Sequence, residues 1–277
     1  MISAFAATLL VLQPVGDFAP LTIGETATFH ILDEDRAVNV ILPPDYNDHP
    51  DHVWPVVYML DGALDQDLMM GAGIAGWNRL WGRSQSVIWV GVETKDRQRE
   101  LLPPTRNDAE AGRYPTAGDS AIFRNWLVNA VMPRIAERYR TDGAYLVGES
   151  AAGHFVVETW IETPAAFAGY AAISPSLQWD EESLSNRFDA GDPVRPALYI
   201  SLADEGGATE SGVMRAIGAM PTDQPWCFSD RRSDLKHATS LHGLLPEALQ
   251  FLLPTRADWL EEFGFELRCD QSGPKAG

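Results

Sequence analysis

The sequence predicts an α/β fold: a mostly parallel central sheet with an antiparallel N-terminal edge and helices on both faces. Three observations carry this expectation. Several strand-like runs, such as "VWPVVYML" (53–60) and "VIWVGV" (87–92), are almost wholly apolar, as strands covered on both faces must be. Strand-like and helix-like segments alternate along the chain, which is the pattern of parallel strands joined by helical crossovers. Near the N-terminus, "ETATFHIL" (25–32) and "AVNVIL" (37–42) flank the polar "DEDR", which reads as a hairpin and supplies the antiparallel edge.

The remaining elements follow in order. Phe123, Trp126, Leu127, Ala130 and Val131 share one face of a helix that begins near Ser120. Pro133 lacks an amide hydrogen and should kink or restart that helix before "RIAERY". "AYLV" (144–147) is a buried strand, and "AAGHFVVETWI" after Ser150 is a helix that stops near Pro164. Strands are expected at "GYAAIS" (169–174) and "ALYISL" (197–202), and helices at "GVMRAIGAM" (212–220) and "LLPEALQFLL" (244–253). No repeat or low-complexity linker interrupts the series, so residues 21–277 are expected to form a single domain. Residues 1–20 read either as a signal peptide or as an N-terminal arm.

Composition narrows the function. The chain has 277 residues, 45% hydrophobic and 22% charged, which suits a globular protein with a substantial core. Its formal net charge of −18 argues against non-specific binding to nucleic acid or to anionic membranes, both of which need basic surface. No run approaches the roughly 20 apolar residues of a membrane span. Cys227 and Cys269 lie far apart with no zinc-like spacing and read as two separate thiols; a disulfide fits only an exported protein. The apolar start "MISAFAATLLVLQP" has the length of a signal-peptide core, without a preceding basic residue or a clean small-x-small cleavage site. A periplasmic or secreted location is favoured over a cytoplasmic one. No metal or organic cofactor is called for, and the oligomeric state is not legible.

The segment "YLVGESAAGHF" (145–155) carries the chemistry. A strand meets Gly148, then Glu149 and Ser150, then small residues that open a helix. This is the context of a nucleophile elbow, with Ala152 where the G-x-S-x-G pattern has its last glycine. A serine that merely caps the helix would look much the same. A serine nucleophile needs a base, and the base needs an orienting acid. Of the six histidines only His237 and His242 lie far enough downstream; His237 is favoured as lying mid-loop in "SDLKHATSLHG". His154 falls within the helix after Ser150 and reads as a packing residue. Asp204 is the first carboxylate past "ALYISL" and is the expected acid, with Glu205 its close rival and Glu210 third. Two backbone amides are expected to form an oxyanion hole: that of Ala151 after the serine, and that of Ala63 in "MLDGALDQD".

Together these segments resemble the putative-esterase branch of the α/β hydrolases, which includes enterobactin-type siderophore esterases, feruloyl esterases and mycolyltransferases. "NVILPPDY" resembles that family's approach to the central sheet, "VVYMLDG" its oxyanion loop, and "DRQRELLPP" its R-x-R-D/E-L-x-P loop. "GES" resembles its elbow, "AISPSLQWD" the segment after the next strand, and "HATSLHGLLPEALQFL" its histidine loop. The resemblance implies an α/β-hydrolase fold, with Ser150 as nucleophile and His237 as base. It transfers the acid less firmly, because some members work with a Ser–His pair.

The resemblance implies a small-molecule ester substrate and leaves its kind open. The loop "TKDRQRELLPPTR" (94–106) holds Lys95, Arg97, Arg99 and Arg106 against Asp96 and Glu100. If Arg97 and Arg99 face the site they would grip an anionic ester such as a ferric catecholate siderophore; the blander reading is local ion pairing. Trp179, and also Trp77 and Trp81, are candidates for an aromatic pocket, although tryptophan is more often core. The expected function is a serine carboxylesterase. The alternatives are an acyltransferase using the same serine, and an inactive binding protein that keeps the fold.

Overall fold

The computed structural model describes residues 18–189 and 194–274, so 1–17, most of the expected signal peptide or arm, lie outside the described residues. Nine strands form one sheet: β1 (Glu25–Ile31), β2 (Glu34–Ile41), β3 (Trp54–Leu60), β4 (Ile88–Val92), β5 (Thr141–Glu149), β6 (Gly169–Ile173), β7 (Ala197–Leu202), β8 (Trp226–Asp230) and β9 (Gln271–Ser272). Their spatial order is β1-β2-β4-β3-β5-β6-β7-β8-β9. The run from β4 through β8 is parallel; β1, β2 and β9 are antiparallel additions at the two edges.

The hairpin is tighter than the sequence suggested. Only Leu32 and Asp33 form the turn, with φ of 54° and 60°, and Glu34, Asp35 and Arg36 already belong to β2. Two residues at positive φ match the right-handed twist of the flanking strands. Strands β3, β4, β6 and β7 are buried along their whole length, as their apolar runs demanded.

Helices cover both faces. They are α1 (Leu68–Trp81), α2 (Arg97–Leu101), α3 (Asp108–Arg113), α4 (Ser120–Trp126), α5 (Met132–Arg138), α6 (Ala151–Glu162), the one-turn α7 (Trp179–Glu182), α8 (Gly207–Gly218) and α9 (His237–Leu252). The two-residue period of β3 divides the core: Val56, Tyr58 and Leu60 pack with Phe123, Phe155 and Trp160 on one face. Val57 and Met59 pack with Leu68 of α1 and Leu245 and Leu249 of α9 on the other. The expected interruption at Pro133 is real. A π-turn over Leu127–Val131 separates α4 from α5, where the proline occupies the first turn.

Two differences bear on the site. Helix α9 starts at His237, seven residues before the expected start, and runs straight through Pro246. The carbonyl one turn before that proline belongs to the exposed His242, where water can satisfy it. The second difference concerns the cysteines: they are not separate thiols, because Cys227 in β8 is disulfide-bonded to Cys269. That bond fixes the C-terminal segment beside β8, where Gln271 and Ser272 add the last strand.

Candidate active site

The segments that carry the expected chemistry leave the C-terminal edge of the sheet, where open α/β sheets bind ligands. Asp61 follows β3, Ser150 follows β5, Glu205 follows β7, and His237 opens α9 after β8. Asp61, Gln66, Asp67, Arg97, Glu149, Ser150 and His237 line one open cavity of about 320 Å3.

Ser150 sits at a sharp bend between β5 and α6. Its backbone has φ 60° and ψ −118°, a strained conformation for a residue with a side chain. The surroundings enforce it. The Ser150 amide donates to the Ile173 carbonyl at 3.0 Å, and the Ser150 carbonyl accepts from the amides of His154 at 2.9 Å and Ser176 at 3.0 Å. The small neighbours follow from this close packing. A Cβ on Gly148 would come within 2.6 Å of the Ala152 backbone, and one on Gly153 within 3.0 Å of Pro175. Ala152 itself is fully buried, so alanine serves where the motif usually has glycine. A capping serine would bond to the helix amides; Ser150 makes no such bond, and its Oγ lies 3.4 Å from the Ser176 hydroxyl. Ser176 was not singled out in the sequence, where "SPS" carries no signal of its own.

His237 is the first residue of α9 rather than mid-loop. Its Nδ1 lies 2.7 Å from Glu205 Oε1. This bond raises the histidine above its ordinary 6.5, against the opposing effect of burial; the charges of Glu205 and Glu149 add to the rise. With Nδ1–H donating to the carboxylate, Nε2 is left as the acceptor. Asp204, the expected acid, is not brought to the histidine: its carboxylate pairs with Lys236, while its backbone is bridged to the same residue. The reason is that β7 ends at Leu202 and Asp204 is tied edge-on to the strand-like path of residue 236, so the next side chain, Glu205, turns to the histidine. Glu210 pairs with Arg232. His242 is exposed on α9, and His154 is buried with Nδ1 at 2.9 Å from the Ser176 carbonyl.

Glu149 joins the two halves of the site. Its Oε1 accepts from the Leu241 amide at 3.1 Å and from the Ser240 hydroxyl, and that hydroxyl is 2.8 Å from the His237 carbonyl. A carboxylate is well placed near this end of α9, where the helix dipole is positive. The residue before the serine therefore holds the helix that begins with the histidine.

The two expected amides differ. Ala151 is the first residue of α6, so its amide has no carbonyl within the helix to bond. The Ala63 amide instead donates to Gln66 Oε1 at 3.0 Å, and the Gln66 carboxamide donates to the Thr94 carbonyl at 2.7 Å. Gln66, three residues on and itself lining the cavity, thus reaches back to occupy that amide.

The basic loop is largely paired, as its blander reading held. Arg97 lines the cavity, but its Nε donates to Asp61 Oδ2 at 2.7 Å and its Nη2 to the Glu149 carbonyl at 2.9 Å. Arg99 does not face the cavity: it donates to Asp119 at 2.6 Å. Arg106 pairs with Asp180. Trp179 is not among the residues lining the cavity either. It is buried, with its ring beside Tyr114 and Nε1 donating to the Pro103 carbonyl at 2.9 Å, so it braces the loop instead of lining the cavity. Trp77 and Trp81 stack edge-on, and Trp81 meets Phe263 and Phe265 of the C-terminal segment.

Among curated proteins the chain is similar to the ferri-bacillibactin esterase BesA of Bacillus subtilis, with 24% identity over 176 residues. That match covers 56% of this chain and 59% of the relative. Among solved structures it resembles the BES protein from Bacillus cereus, with TM-score 0.70, 15% identity, and coverage of 86% of this chain and 98% of the other. An IroE-like serine hydrolase from Shewanella oneidensis also has TM-score 0.70, at 20% identity and coverage of 82% and 79%. The model of the Esterase family, described as "Putative esterase", matches residues 30–206. The chain thus belongs to this esterase family and has its α/β-hydrolase fold.

Proposed function

We propose that the protein is a serine carboxylesterase that works through an acyl-enzyme on Ser150. The observation that carries this reading is a strained serine sharing one cavity with a histidine whose far nitrogen is held by a carboxylate. In the first half-reaction Ser150 Oγ attacks the ester carbonyl carbon while His237 Nε2 takes the serine proton. The imidazolium, supported by Glu205, then gives that proton to the departing alkoxide, and the alcohol leaves. Water repeats the sequence: His237 takes its proton, the acyl–oxygen bond to Ser150 breaks, and the proton returns to Ser150.

The Ala151 amide is the standing donor to the developing oxyanion. The Ala63 amide joins it once the Gln66 carboxamide turns away, and Arg97 places positive charge nearby. A donor of this kind is worth about 3 kcal/mol in the transition state. No step draws on a metal. The relatives' names point to siderophore esters, and aryl esters are the simplest surrogates. The disulfide favours an oxidising compartment, which supports export.

Labelling with a fluorophosphonate, followed by peptide mass spectrometry, tests the reading. One adduct on Ser150, lost in His237→Ala, is the expected result. A folded protein that gives no adduct would instead favour a binding role. Added alcohol as acceptor separates hydrolysis from acyl transfer by its products.

A further inference from the structure

The charges lining the Ser150 cavity do not suit an anionic substrate. Three acidic residues line it, Asp61, Asp67 and Glu149, against the basic Arg97 and His237. The guanidinium is already engaged by Asp61 and by the Glu149 carbonyl. The Glu149 carboxylate is engaged by the first turn of α9. Asp67 differs from both. It precedes α1 but makes no capping bond to it, and its carboxylate has no hydrogen-bond or ion-pair partner among the described residues. Burial raises its pKa, and the charges of Asp61 and Glu149 add to that, although Arg97 opposes them. An anion entering the cavity would meet the same repulsion that Asp67 feels.

Most of the cations around the cavity are already paired; Lys95, next to Thr94, is the exposed exception. Lys236 is paired with Asp204, Arg99 with Asp119, and Arg106 with Asp180. A second cavity, of about 480 Å3, opens beside Gln178, two residues beyond Ser176; it sets Glu110, Glu181 and Glu182 against Arg215 alone. The whole chain, at −18, adds long-range repulsion of the same sign.

We infer that the site selects esters carrying a positively charged group close to the scissile bond, such as an ammonium-bearing alcohol or acyl part, and that Asp67 receives that charge. The inference rests on Ser150 being the nucleophile. It sets this chain apart from the relative named for a ferric siderophore, if that substrate is anionic as a ferric tris-catecholate is.

The experiment compares three esters of equal size on the wild-type protein: a choline ester, its uncharged tert-butyl isostere, and an analogue ending in carboxylate. The set is repeated with the charge moved to the acyl part. The expected order of kcat/KM is cationic, then neutral, then anionic in at least one set, with at least about fivefold between cationic and neutral, the size of a partly solvated ion pair. The advantage should shrink as salt rises from about 0.05 to 0.5 M. Asp67→Asn should bring the cationic-to-neutral ratio to within about twofold. A merely structural Asp67 would lower both rates and leave that ratio alone. Equal rates for cationic and neutral esters in both sets, or an unchanged ratio in Asp67→Asn, would overturn the inference while leaving the esterase intact. If Ser150 takes no fluorophosphonate and no ester is cleaved, the catalytic reading falls, and the inference with it.

Discussion

The two sides of the candidate site are built differently. On the nucleophile side, Ser150 is gripped by three backbone hydrogen bonds and backed by α6, of which every residue from Ala151 to Trp160 is buried. On the histidine side more of the parts meet water, although the Glu205 side chain is only 11% exposed. The His237 side chain is 46% exposed, and Lys236 and Asp204 beside it are 75% and 45% exposed. One side is fixed by packing, the other by a few polar contacts at the mouth of the cavity. The difference teaches where tolerance lies: backbone shape should govern the first side and side-chain charge the second.

The largest expected effect tests the second side. Glu205→Gln keeps the size of the side chain but removes the charge that stabilises the imidazolium. It should cut kcat by roughly 10^2- to 10^4-fold, as loss of an orienting acid does in Ser–His–Asp enzymes. Asp204→Asn should change kcat less than about twofold, because that carboxylate serves Lys236. If the two variants behaved alike, the assignment of the acid by geometry would fail. The first side is tested by stability. Gly148→Ala places a Cβ against the Ala152 backbone and should cost about 1–3 kcal/mol, read as a drop in unfolding midpoint. An unchanged midpoint would mean the elbow is looser than its contacts indicate.

The same contrast explains what the sequence revealed. The elbow was legible because tight backbone packing leaves a residue-level trace: Gly148 and Gly153 have no room for a Cβ, and Ala151 and Ala152 are buried. The buried strands were legible because burial on both faces removes alternation. The choice between Asp204 and Glu205 was not legible. Neighbouring side chains on an extended segment point in different directions, and which one meets the histidine depends on how the segment pairs with residue 236. The start of α9 was missed for a related reason. The polar "HATSLHG" has no apolar face until Leu241 and Leu244 dock on the sheet. The strand β8 is short and mixed, and β9 owes its place to a disulfide that spacing alone did not reveal.

Glu149 is the contact that joins the two sides, and it yields the smallest but most diagnostic prediction. Its carboxylate makes two separate contributions. It anchors the first turn of α9 through Leu241 and Ser240, and its charge helps raise the His237 pKa. Glu149→Gln retains an oxygen that can accept from the helix but loses the charge. His237 must be neutral to take the serine proton, so activity falls as pH drops through its raised pKa. Removing a negative charge that favours the imidazolium lowers that pKa, and the acid limb of the kcat/KM profile should move to lower pH. Glu149→Ala removes the anchor as well, and should add a loss in kcat of about tenfold, near the value of one charge-assisted hydrogen bond. A limb that moves in both variants, with kcat falling chiefly in the alanine, would show that charge and anchoring act separately. A limb unmoved in both would mean that solvent screens Glu149 from the histidine, leaving the helix contact as its whole contribution.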